Sequence, residues 1–166
     1  MLGSVFYWAL ILVLLGITYQ DYKFRGVSWY LFPLVLILFT LYYKPFHNLE
    51  IFLYSMIANL IFILFQFGFL ILYFRAKKIG VKLLLKKYIG FGDILFFMVL
   101  AIILPFPFYP VFMVTSLIIS ALLGLIFYRK TSVPLAGIQS FCLVLCLIID
   151  SNFKVNDYLL NFNLWS

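Results

Sequence analysis

Residues 94–128 read ILFFMVLAIILPFPFYPVFMVTSLIISALLGLIFY, thirty-five positions without one Asp, Glu, Lys or Arg. A helix crosses the hydrocarbon core of a bilayer with about 20 residues, so this run is too long for one crossing. Pro105, Pro107 and Pro110 fall in its middle, in LPFPFYP. Proline removes a backbone donor and interrupts helices, so the chain is expected to turn there. The run therefore predicts two crossings, at 89–104 and 109–128.

Working outward, residues 1–20, 26–43, 51–74 and 131–149 also lack charged side chains, as does the short tail 158–166. The spans expected are 3–20, 27–43, 49–74, 89–104, 109–128 and 132–149. Composition agrees. The 166-residue chain is 67% hydrophobic, 22% aromatic and only 10% charged, with a mean hydropathy of +1.19. A soluble domain carries roughly 25% charged residues to cover its surface. The fold class predicted is all-α, a polytopic membrane protein with six transmembrane helices. Residues 1–150 form one domain, and 151–166 a short extracytoplasmic tail resting at the outer interface with Trp165 as anchor. The first segment lacks a basic n-region and a small-residue cleavage site, so it reads as a retained helix.

The net charge of +7 would suggest nucleic acid in a soluble protein. Here the positive residues fall in loops, and a membrane partner is expected instead, with no nucleic acid. Lys23 and Arg25 follow the first span, Arg75, Lys77, Lys78, Lys82, Lys86 and Lys87 the third, and Arg129 and Lys130 the fifth. Only Lys44 and Lys154 fall on the other side. The positive-inside rule makes the basic side cytoplasmic and puts both termini outside. The loop RAKKIGVKLLLKKY sets this topology, or lies on the inner leaflet as an interfacial helix.

Five carboxylates remain: Asp21, Glu50, Asp93, Asp150 and Asp157. By this topology only Asp21 and Asp93 share the cytoplasmic side, at the ends of spans one and four. Span four needs Asp93 in its first turns, because Ile94 to Leu104 covers only about half of a ~30 Å core. Asp93 alone reads equally as a helix N-cap beside Gly90 and Gly92. Asp21 ends a helix where the dipole disfavours negative charge, and Lys23 and Arg25 could neutralise it. Together the two suggest more. Ionisable groups within a membrane point to function, and two close carboxylates share one proton and can activate water against a peptide carbonyl. Glycines beside Asp93 would let an extended peptide approach closely.

Metal chemistry is poorly served. His47, the one histidine, belongs to the opposite side, and Cys142 and Cys146 lie one turn apart without further ligands. No metal or cofactor is expected. A rival reading is a non-catalytic transporter or assembly scaffold with the aspartates as ion or packing sites. A transporter places polar groups near the midplane, where Asn59, Gln66, Ser116 and Ser120 suit hydrogen bonds between helices instead.

GFGD at 90–93, opening a span after a basic loop, resembles the GxGD motif of the type IV prepilin peptidases. YQDYKFRGVSWYL at 19–31 is similar to that family's first-aspartate region. SVPLAGIQS at 132–140, with Pro134, is similar to the Ile-Pro-Phe-Gly-Pro segment that opens its last core helix. The resemblance implies an aspartic endopeptidase of the inner (cytoplasmic) membrane that removes the basic leader from prepilin-like or pseudopilin precursors at the cytoplasmic face. It implies Asp21 and Asp93 as the catalytic pair, with Gly90, Gly92 and Pro134 as motif or substrate-approach positions. The sequence departs from the family at Leu95, where a lysine is frequent, and at Ser28-Trp29, where Pro-Asn is usual. The paired Cys-x-x-Cys zinc region of the larger members is not found, so peptidase activity without N-methylation is expected.

Overall fold

The computed structural model describes residues 2–43, 49–76, 90–127 and 133–153. All secondary structure in them is helical: α1 (Leu2–Phe24), α2 (Leu31–Tyr43), α3 (Leu49–Ala76), α4 (Phe91–Ile103), α5 (Phe108–Phe127) and α6 (Leu135–Phe153). Each falls on a predicted span, and the proline cluster separates α4 from α5. Three of them are long and apolar enough to cross a membrane alone: Gly3–Phe24, Leu49–Ala76 and Phe108–Ile126. Leu31–Tyr43, Phe91–Ile103 and Leu135–Ser151 are shorter apolar helices. The chain is a multi-pass membrane protein.

The helices run up and down. α1 packs most extensively on α6 and α2, α2 and α3 flank α4, and α5 lies on α6. Their buried faces follow helical spacing. Leu10, Leu14 and Ile17 line one stripe of α1, Phe32, Val35 and Phe39 one stripe of α2, and Leu143 and Leu147 one stripe of α6. α4 is the central helix, with Phe96, Phe97, Leu100, Ala101 and Ile103 all buried. Large side chains facing outward, such as Leu12, Leu64, Phe65 and Leu125, are what a lipid-facing surface requires.

Boundaries shift from expectation by up to four residues: α1 runs to Phe24 rather than 20, α2 begins at Leu31 rather than 27, and α6 covers Leu135–Phe153 rather than 132–149. The shift that bears on the site is at the start of α4. α4 begins at Phe91 with Gly90 as N-cap, two residues later than the predicted 89. Asp93 is thus not the N-cap but the third helical residue. At the other end, Leu104 is extended and Pro105 follows, so the last carbonyls of α4 lose their helical partners. Asn59 of α3 restores them, its amide donating to the carbonyls of Ala101 (3.0 Å) and Leu104 (2.8 Å). This is the interhelical role expected of a mid-span polar residue. Residues 44–48, 77–89, 128–132 and 154–166, hence His47, Asp157, Trp165 and most of the basic loop residues, lie outside the described residues.

Candidate active site

Asp21 continues the buried stripe of α1, one turn beyond Ile17, and is only 6% exposed. α1 stops just after it. The N–H of Arg25 donates to the Asp21 carbonyl at 3.1 Å, and Arg25 has a left-handed backbone, φ 54°. That conformation closes helices and usually falls to glycine; here Gly26 stands one residue later. The Gln20 side-chain carbonyl accepts the Ser28 N–H at 3.0 Å, holding the α1–α2 turn against the end of α1.

Asp93 sits in the first turn of α4. Its Oδ2 accepts the Gly90 N–H at 3.1 Å, the back-reaching half of a capping box. Cap and candidate site therefore coincide, because the same carboxylate has a second oxygen to offer. Its Oδ1 accepts the Ala136 N–H at 3.0 Å.

The next amide along holds the other aspartate. Gly137 N–H donates to Asp21 Oδ2 at 2.7 Å, a length typical of a charge-assisted bond. Two consecutive free N–H groups at the start of α6 thus bind one carboxylate from α1 and one from α4. These amides have no carbonyl four residues back to bond, and the helix N-terminus favours negative charge. Pro134, the motif position expected in this segment, lies just ahead. Its carbonyl accepts the Ile138 N–H at 3.0 Å, and it leads the chain into α6.

Gly137 is essential to this approach. A Cβ on it would lie 3.1 Å from both Cβ and Oδ2 of Asp21 and 3.3 Å from the Thr18 carbonyl oxygen. Gly90 has a similar neighbour, with Asp93 Oδ2 3.1 Å from its Cβ position. Gly92 differs: a Cβ there would meet only Phe32 and Val27, at 3.8 and 4.0 Å. Its smallness leaves room on the open side.

Both aspartates line one cavity of about 240 Å³. Gly90, Gly92 and Ala136 form part of its wall, Val27, Trp29, Phe32, Phe91 and Leu95 give it an apolar lining, and Arg25 stands at its edge. Such an enclosure suits a peptide segment with one polar bond presented to two carboxyl groups. The cysteines stand apart, as free thiols at 142 and 146 on α6. Among the described residues no three metal-ligating side chains come together.

Sequence reading singled out Asp21, Asp93, Gly90, Gly92 and Pro134. It did not single out Ala136 and Gly137, whose contribution is a backbone N–H that any residue but proline carries. The signal available was Gly137 itself, a glycine in the first turn of α6 where a close neighbour leaves no room for a side chain.

A family model described as the type IV leader peptidase family matches residues 8–128, which include both aspartates and stop short of the α6 amides. No curated protein and no solved structure matches the chain.

Proposed function

Because the chain belongs to the type IV leader peptidase family, we propose that it is a membrane aspartic endopeptidase whose catalytic pair is Asp21 and Asp93. The observation that carries this reading is the convergence of the two carboxylates on consecutive amides, Ala136 and Gly137, at one cavity. The substrates are prepilin-like or pseudopilin precursors, cut at the cytoplasmic face so that the basic leader is released. The chain crosses the inner membrane six times, with both termini outside.

The chemistry follows from the pair. Repulsion between adjacent carboxylates leaves one proton shared between them. The ionised member takes a proton from a water held between the two, and that water attacks the scissile carbonyl carbon. The protonated member gives its proton to the carbonyl oxygen, forming a tetrahedral diol. Collapse reverses the roles: the newly protonated carboxyl gives its proton to the amide nitrogen as the C–N bond breaks. The other carboxylate takes a proton from one hydroxyl, restoring the starting state. The pair titrates as a unit. The amides hold both carboxylates in place so that no reorganisation is needed during the reaction.

The test is co-expression with a prepilin-type precursor from the same genome, following leader removal on a gel. Asp21→Asn and Asp93→Asn should each abolish cleavage while the protein still accumulates in the membrane. Cleavage that survives either change would overturn the dyad.

A further inference from the structure

We propose that Thr18 and Ser140 are positioning residues for the Asp21–Asp93 pair, acting through the register between α1 and α6. This rests on the active-site reading above and names residues that the reading does not include. Thr18 lies one turn before Asp21 on α1, and Ser140 one turn after Gly137 on α6. Because the two helices run antiparallel, these positions face each other. Their hydroxyl oxygens are 2.8 Å apart. Each also has a carbonyl of its own helix within reach, Leu14 at 3.0 Å from Thr18 Oγ1 and Gly137 at 2.9 Å from Ser140 Oγ. With one proton apiece, Thr18 donates across to Ser140 while Ser140 donates to the Gly137 carbonyl.

The result is a two-rung ladder. One rung is Asp21 Oδ2 to the Gly137 N–H, and the other is the hydroxyl pair directly beneath it. The second rung ends on the carbonyl of the residue whose N–H makes the first. A hydroxyl at each position is required, since one must donate into the helix and the other across it. Apolar packing alone would not choose this register so sharply, because side chains of similar shape slide against one another more readily than a hydrogen bond stretches. Displacing a catalytic group by about 1 Å can cost on the order of 100-fold in rate. The rung therefore matters to turnover more than to folding, since one interhelical hydrogen bond in a membrane adds little to stability.

The experiment reads two things in the full-length protein: cleavage kinetics, and the Gly137 amide proton resonance in detergent micelles. Thr18→Val should lower kcat by about tenfold or more with KM within about twofold. It should also shift the Gly137 amide resonance upfield as the bond to Asp21 lengthens. Thr18→Ser should restore both, and Thr18→Val combined with Ser140→Ala should be no worse than either alone. Unchanged kcat and resonance in Thr18→Val would overturn the inference, as would failure of Thr18→Ser to rescue. The two readings separate cleanly. If Asp21→Asn leaves cleavage intact while Thr18→Val still moves the Gly137 resonance, the catalytic assignment fails and the ladder stands. If the aspartates are essential but Thr18→Val alters neither signal, the ladder alone fails.

Discussion

At the scale of single residues, two glycines that look alike in sequence do different work. A methyl placed on the Gly137 Cα would stand only 3.1–3.3 Å from Asp21 and from the Thr18 backbone. Neither neighbour can withdraw. One is the helix backbone, and the other is a carboxylate held at 2.7 Å by the same residue's N–H. Gly137→Ala should therefore spread α1 from α6, destabilise the protein by about 1–3 kcal/mol, and reduce cleavage by at least about tenfold. Gly92→Ala meets only ordinary contacts at 3.8 and 4.0 Å. It should leave the thermal midpoint unchanged and lower cleavage by raising KM, because its methyl would occupy space beside Asp93 that the peptide needs. Thermal unfolding and Michaelis profiles of the two variants, run side by side, check both statements. Equal loss of stability in the two would mean that Gly92 is structural after all.

At the scale of elements, the helix positions were legible because hydrophobic run length and proline placement act locally. The split at LPFPFYP separates Phe91–Ile103 from Phe108–Phe127, as three prolines in six residues require. The start of α4 was less legible. An N-cap needs a residue that leaves the helical conformation, and both Gly90 and Asp93 can serve; the choice of Gly90 frees the aspartate to reach α6. Asp21 could be placed at the cytoplasmic end of the first span from the loop charges, but its burial and its partner could not, because α1 is apolar on every face and backbone donors leave no trace in side-chain chemistry. The end of α4 shows the same limit, since nothing near Leu104 announces that Asn59, forty-five positions earlier, caps it. Asn59→Leu should strip the carbonyls of Ala101 and Leu104 of their donors and cost about 1–3 kcal/mol. The dyad lies at the other end of α4, so leader cleavage below the new melting temperature should stay within about twofold of wild type. A variant that melts normally would show that these carbonyls find other donors.

At the scale of the whole molecule, the two ends of the helical bundle have opposite character. One carries the dyad with Lys23 in the last turn of α1, Arg25 just after it and Arg75 in the last turn of α3. The other carries Glu50 in the first turn of α3 and a closed polar cluster in which the Tyr43 hydroxyl donates to buried Asp150 at 3.2 Å. There the Tyr7 hydroxyl also donates to the Leu147 carbonyl at 3.2 Å, so α1 and α6 are clamped at both ends. A basic end and a cation-poor end of a multi-pass protein are sorted by the positive-inside rule, and the orientation proposed on that ground turns the dyad toward the cytoplasm. A fluorescent protein fused after Arg75 should then light up, since it folds in the cytoplasm. A periplasmic phosphatase fused after Phe153 should be active, since the last helix would end outside. An inactive phosphatase at 153 together with an active one at 75 would invert the bundle. It would also put the dyad on the side of the membrane where the basic leader of an uncleaved precursor is not found.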